Sequence, residues 1–126
     1  MQAKKKILIA DDEDSIHDLL TQALRKDKYD IIHAFDGQET LQRVEEELPD
    51  LVVLDIMMPL LDGRDICKEL KKNPETVHTK ILVLSGRCDQ PDRILCFQLG
   101  ADDYISKPAP IHYITRAITN LLEKPE

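Results

Sequence analysis

The chain has 126 residues, of which 42% are hydrophobic and none is tryptophan, and its net charge is −7. That length fits one domain, which hides about two-thirds of its unfolded surface on folding and needs no disulfide staples. The acid excess argues against direct binding of nucleic acid, because neutralising phosphates takes clustered lysine and arginine.

The first predicted element is a short strand, Ile7–Ala10, led in by the solvated run Lys4–Lys6 and followed by Asp11–Asp14. Four apolar residues fall short of the about 7–15 in the core of a signal peptide. Ile16, Leu19, Leu20, Ala23 and Leu24 follow the i, i+3, i+4, i+7, i+8 template of a helix with one buried face. Ile31–Phe35 is a second strand, with His33 inside it. Asp36 and Glu39 form a capping box for a helix carrying Leu41, Val44 and Leu48, which Pro49 ends. Leu51–Leu54 is the third strand. The apolar stretch from Leu51 to Leu61 is broken by Asp55 and Pro59 and is much shorter than the about 20 residues that cross a bilayer. Asp62 and Gly63 open a helix bearing Ile66 and Leu70, which fades at Asn73-Pro74. A fourth strand, Ile81–Leu84, precedes a helix that Asp89 caps and that runs through Ile94, Leu95 and Leu99 to a stop at Gly100. Tyr104–Ile105 is the fifth strand, and Ile111, Ile114, Ile118, Leu121 and Leu122 mark the last helix. Residues 1–126 read as a single domain with a core over about 5–123, and Lys124–Glu126 as a linker stub. Cys67, Cys88 and Cys96 form no CxxC pair, which fits reduced thiols in the cytoplasm.

Strands alternating with helices imply βαβ units and a parallel sheet. ILIA, LVVL and ILVL are continuous and apolar, as strands buried on both faces are. The second and fifth runs, with His33 and with Asp102, Asp103 and Ser106, read as edges. The fold class is therefore α/β, a doubly wound five-stranded parallel sheet of order 2-1-3-4-5 with helices on both faces. Its switch point lies between strands 1 and 3.

Ligands of such sheets bind beyond the carboxyl ends of the strands. Those ends carry Asp11-Asp12, Asp55, Ser85 and Lys107-Pro108. Each alone has an ordinary explanation as a cap or loop residue; together they converge on one face of the sheet. Three carboxylates in a partly dry cleft need a counter-charge, and hard oxygen ligands with room for water suit Mg²⁺. His17, His33, His78 and His112 lack zinc-site spacing and read as ordinary surface residues. A carboxylate nucleophile, a metal, a hydroxyl and a lysine are the parts needed to form and hold an aspartyl phosphate, with Asp55 as the nucleophile.

With those residues placed, the sequence resembles the receiver domain of two-component response regulators, a flavodoxin-like (βα)5 fold. The resemblance spans essentially the whole chain and rests on ILIADDED, LVVLDIMMPLLDG, ILVLSG and GADDYISKP in the family's order and spacing. It implies that Asp55 accepts a phosphoryl group from a sensor histidine kinase, a phosphotransfer protein or a small donor such as acetyl phosphate. It implies that Asp11, Asp12 and Asp55 hold Mg²⁺ with the Met57 backbone carbonyl, and that Lys107 pairs with the phosphoryl oxygens. The Lys107-Pro108 bond matches one that is cis in the family. Ser85 and Tyr104 match the switch pair, Ser85 moving toward the phosphoryl group and Tyr104 shifting inward. The output is then a changed surface on helix 4, strand 5 and helix 5, read by an output domain or protein partner, with a phosphorylation-linked homodimer as a further state. Departures are Ala109-Pro110 where a phenylalanine commonly follows the Lys-Pro pair, and Gly86 where alanine is common. Met57 and Arg87 stand at positions that tune hydrolysis of the acyl phosphate.

Two other classes of the same topology fit less well. A phosphatase of the haloacid dehalogenase type has a second acid two residues after the nucleophile, where this chain has Met57, so no turnover on free substrates is expected. A flavin module offers donors after strand 1, where Asp11–Asp14 repel a phosphate. A degenerate receiver that acts only as a surface usually lacks a site residue, and all are present here.

Overall fold

A computed structural model describes residues 4–86 and 90–123 of the chain. Ten elements alternate: β1 (Lys5–Ala10), α1 (Asp14–Ala23), β2 (Tyr29–Ala34), α2 (Gly37–Glu47), β3 (Leu51–Leu54), α3 (Gly63–Lys72), β4 (Lys80–Ser85), α4 (Gln90–Gln98), β5 (Asp103–Ser106) and α5 (Ile111–Glu123). The strands form one parallel sheet in the order β2-β1-β3-β4-β5, the flavodoxin-like α/β arrangement expected from the alternation. Arg87, Cys88, the Asp89 cap and the tail from Lys124 to Glu126 lie outside the described residues.

The sheet divides the core because successive strand residues point to opposite faces. Leu8, Ala10, Val52, Leu54, Ile81 and Val83 face one way, against residues of α2, α3 and α4 such as Val44, Ile66, Leu70 and Cys96. Ile7, Ile9, Leu51, Val53, Leu82 and Leu84 face the other, against Leu20 of α1 and Ile114 and Ile118 of α5. β1, β3 and β4 are buried on both faces, which is why their sequences are unbroken apolar runs.

Local chemistry sets the helix ends near the site. Asp36 accepts from the Glu39 N–H at 2.8 Å while Glu39 reaches back to the Phe35 N–H at 2.7 Å, a reciprocal cap for α2. Leu48, expected on the buried side of α2, instead caps its end in the left-handed region (φ 48°) and is 48% exposed. Asp62 caps α3 by accepting from Arg64 N–H at 2.8 Å. Gly63 is required there: a Cβ would come within 2.7 Å of Ile56 Cα and 2.9 Å of the Asp55 carbonyl oxygen. α4 stops at Gln98, and Gly100 two residues on turns the chain with a φ of 114° that suits glycine.

Two helix faces differ from the apolar count. In α1 the inward positions are His17 and Leu20, with Leu24 just beyond the helix, while Leu19 and Ala23 point out. In α4 Asp92 and Cys96 are buried, while Ile94 and Leu95 are 53% and 37% exposed. Both readings weighted apolarity alone, whereas a buried histidine and a buried aspartate hold the inward places.

Candidate functional site

The carboxyl ends of β1, β3, β4 and β5 bring Asp11, Asp12, Asp55, Ser85 and Lys107 to one edge of the sheet. Asp11 extends β1, its N–H donating to the Ala34 carbonyl at 3.2 Å, and Asp55 extends β3 in the same way, donating to the Ala10 carbonyl at 2.9 Å. The ladder therefore sets the two carboxylates side by side. Asp11 and Asp55 are 2% and 5% exposed, and Asp12 is open to solvent. One ligand oxygen from each of the three carboxylates lies within 4.8 Å of the others.

Each buried carboxylate is held at both oxygens. Asp11 Oδ1 accepts from the Glu13 N–H at 2.9 Å and Oδ2 from Lys107 Nζ at 2.8 Å. Asp55 Oδ1 accepts from the Met57 N–H at 3.1 Å and Oδ2 from Lys107 Nζ at 3.4 Å. Burial raises the Asp55 carboxyl above the usual carboxylate range, and the Asp11 charge adds to this, against the Met57 N–H and Lys107. Burial also works against the Lys107 ammonium, but its hydrogen bond to Asp11 and the charges of Asp11 and Asp55 outweigh that and raise it. The two buried carboxylates thus share the Lys107 ammonium, with Glu13 also 3.9 Å from it, while Asp12 adds a further negative charge. The set is two dry oxygens, one wet one and a shortfall of positive charge, which fits a hard divalent cation with room for water. The Met57 side chain is 61% exposed beside it. Met57, Leu60 and Asp62 line a groove of about 550 Å³ together with Asp12.

The Lys107-Pro108 peptide is cis, and the Lys107 N–H donates to the Ser85 carbonyl at 2.7 Å. The Ser85 side chain is fully buried and hydrogen-bonds Tyr104. Tyr104 is only 6% exposed, so its ring already lies inward here, and its hydroxyl also reaches Asp92 Oδ2 at 3.4 Å. Burial raises the phenol above its ordinary value. Asp92 continues the chain to Arg64 Nη1 at 3.1 Å, and Arg64 pairs with Asp62 at 2.7 Å. Ser85 and Tyr104 are thus paired with each other, and Lys107 with Asp11 and Asp55.

Sequence reasoning missed Asp92 and Arg64, whose only signal was an acid at an inward helical position. It also misplaced one histidine. His78 and His112 are exposed, but His17 is only 4% exposed and bonds both the Asp11 carbonyl (2.8 Å) and His33 (2.7 Å). Its position one turn before Leu20 puts it under the β1–α1 loop. Burial pushes the Cys67 thiol up to about 12 and the Cys96 thiol to about 11, which disfavours the thiolate form a nucleophile needs.

Comparison with known proteins places this geometry. Residues 7–119 match the family model of the response regulator receiver domain. The chain is 42% identical over 122 residues to the alkaline phosphatase synthesis transcriptional regulatory protein PhoP of Bacillus subtilis, covering 97% of this chain and 50% of that protein. The chain spans about half the length of the curated relatives it matches. Among solved structures, a Francisella response regulator receiver domain superposes with a TM-score of 0.86 at 31% identity, covering 95% of this chain and 98% of that one. The phosphorylated cyanobacterial phytochrome response regulator RcpA superposes with a TM-score of 0.83 at 26% identity, covering 95% and 94%. Among the described residues no helix is long and apolar enough to cross a membrane. The acidic cluster of Asp11, Asp12 and Asp55 is consistent with the family's phosphoacceptor site. The chain belongs to the response regulator receiver domain family, the signalling phosphoacceptors of two-component systems.

Proposed function

We propose that Asp55 is the phosphoacceptor, taking a phosphoryl group from the phosphohistidine of a sensor histidine kinase or phosphotransfer protein with Mg²⁺ as cofactor. The observation that carries this reading is the convergence of three carboxylates within 4.8 Å, with Lys107 Nζ bridging Asp11 and Asp55 at 2.8 and 3.4 Å. An Asp55 oxygen attacks phosphorus, the P–N bond of the donor breaks, and the electron pair leaves with the imidazole. Asp11, Asp12, Asp55 and the Met57 carbonyl are the residues that would hold Mg²⁺, whose chemistry is to neutralise phosphoryl oxygens and align them. Lys107 sits where it can neutralise another phosphoryl oxygen while keeping its bond to Asp11.

On this reading the signal passes through Ser85 and Tyr104 to the face made by α4, β5 and α5. That face exposes Phe97 (40%) and Tyr113 (60%), which supports contact with an output domain or protein partner, a second copy of the chain included. Direct binding of nucleic acid by this unit is disfavoured by its charge. Residues 1–126 then form one receiver unit in the cytoplasm.

Intact-mass measurement tests the reading. Incubation with Mg²⁺ and acetyl phosphate should add one phosphoryl group, lost in Asp55→Asn and without Mg²⁺. Undiminished label in Asp55→Asn would refute the assignment.

A further inference from the structure

Two imidazoles that the phosphoryl chemistry does not use face one another across α1 and β2. His17 and His33 bring their Nδ1 atoms to 2.7 Å. Their surroundings set where the protons sit. His17 Nε2 lies 2.8 Å from the Asp11 carbonyl oxygen, which only accepts, so Nε2 carries the proton and neutral His17 presents a bare lone pair at Nδ1. The one proton between the rings is then on His33 Nδ1. Moving it to His33 Nε2 leaves two imidazole lone pairs aimed at each other along the line between the Nδ1 atoms.

We propose that His17 and His33 form a binding site for a divalent transition-metal ion of the zinc class, separate from the acidic cluster, with both Nδ1 atoms as ligands. Imidazole nitrogen suits such ions, whereas the carboxylates of the acidic cluster suit Mg²⁺. Zinc–nitrogen bonds of about 2.0–2.1 Å put two ligand nitrogens about 3.3 Å apart at a tetrahedral angle. That is roughly half an ångström wider than the ion-free pair. His33 lies on the edge strand β2 and is only partly buried, so it is the ring that would swing outward and turn its lone pair off the Nδ1–Nδ1 line to admit the ion. His17 is already arranged as metal-bound histidines are, with its second nitrogen donating to a backbone carbonyl that fixes tautomer and orientation. Phe35 stacks on the His17 ring with centroids 4.1 Å apart and planes 26° from parallel, which holds the ring in place. Asp14 and Asp18 are exposed and line the same groove as the two rings, adding negative charge beside them, and water would complete the shell, because among the described residues no carboxylate is grouped with the two rings as a third close ligand. The site stands independently of phosphorylation at Asp55.

The test is calorimetric titration of the 126-residue chain with zinc chloride, in a Cys88→Ser background that removes one competing thiol. One zinc should bind in that parent. Binding should survive Asp12→Asn, which dismantles the acidic cluster, and should weaken at least about tenfold in His33→Gln. Equal affinity in the parent and in His33→Gln would overturn the proposal, as would loss of the site in Asp12→Asn. A urea midpoint for His33→Gln close to the parent's shows that it folds. Should it not fold, side-chain ¹⁵N spectra of the parent give the answer directly: zinc must shift the Nδ1 resonances of both His17 and His33 and leave His17 Nε2 protonated. Nδ1 signals unmoved at saturating zinc would refute the site.

Discussion

Truncating Lys107 to alanine removes the ammonium shared by the two buried carboxylates, and the cost follows from the geometry. Lys107 Nζ is 2.8 Å from Asp11 and 3.4 Å from Asp55. At an effective dielectric of about 20, these attractions are worth roughly 6 and 5 kcal/mol before desolvation. The two carboxylates repel each other, and burying the ammonium offsets much of the gain. Breaking a buried pair by removing one partner typically costs about 3–5 kcal/mol. Lys107 keeps 17% of its side chain in water, so the expected loss is lower, about 2–4 kcal/mol. That is a large share of a stability of about 5–15 kcal/mol but leaves the domain folded. With a urea slope of about 1–3 kcal/mol/M, the midpoint falls by about 1–2 M.

Two conditions should shrink that deficit. Millimolar Mg²⁺ places a dication beside the same oxygens, so Lys107→Ala gains more from Mg²⁺ than the unaltered chain and recovers half or more of its loss. Acid acts in the same direction. Burial raises the Asp55 carboxyl, so protonation favours the folded state, and that contribution is lost as pH rises through the folded value. Removing the lysine raises Asp55 further, so the deficit should be larger at pH 8 than at pH 5. Urea unfolding followed by circular dichroism, with and without Mg²⁺ at both pH values, checks each statement. A deficit below about 0.5 kcal/mol, or one that is the same with and without Mg²⁺, would refute the charge argument.

Gly63→Ala must push the start of α3 off the Asp55–Ile56 backbone, costing about 1–3 kcal/mol and weakening Mg²⁺ binding in a titration followed by NMR. Gly86→Ala is the contrast: among the described residues a Cβ there meets nothing within 4 Å, so the stability read from urea unfolding should stay within about 0.5 kcal/mol of the parent. His33 is lowered below the ordinary histidine value, first by burial and then by electrostatic interaction with the neighbouring His17. Because the unfolded chain takes up that proton first, stability should fall as pH drops below about 6.5. The slope should be shallower in His33→Gln, and identical slopes in the two proteins would contradict the assignment.

The sheet was legible because its inner strands are buried on both faces. ILIA, LVVL and ILVL leave no ambiguity about what they are, and the ends of those strands name the acidic cluster without further help. What apolarity could not reveal was the place of polar residues in the interior. Tyr29 begins β2 two positions before Ile31 because its ring is buried and its hydroxyl reaches Glu123 at 3.3 Å, across the fold. His17 and Asp92 occupy inward helical positions through hydrogen bonds to groups distant in sequence: the Asp11 carbonyl, His33, Tyr104 and Arg64. A buried polar residue is tolerated only with partners, and those partners exist only once the chain has folded.

The same buried polar chain bears on how the switch would work. Ser85 and Tyr104 share a hydrogen bond, Tyr104 reaches Asp92 on α4, and Asp92 pairs with Arg64 on α3. A phosphoryl group on Asp55 that recruited the Ser85 hydroxyl would therefore compete with Tyr104 for it. The energy at stake is that of one side-chain hydrogen bond, on the order of 1 kcal/mol. A shift of that size moves a two-state population about fivefold, which is modest but within the usual range of coupling between sites. Larger coupling would require Asp92 to change partners as well, since an ion pair buried on one side costs more to rearrange. If phosphorylation acts through Ser85 and Tyr104 as proposed, the Asp92–Arg64 pair, rather than the Ser85–Tyr104 bond alone, would set how strongly it is felt at α4.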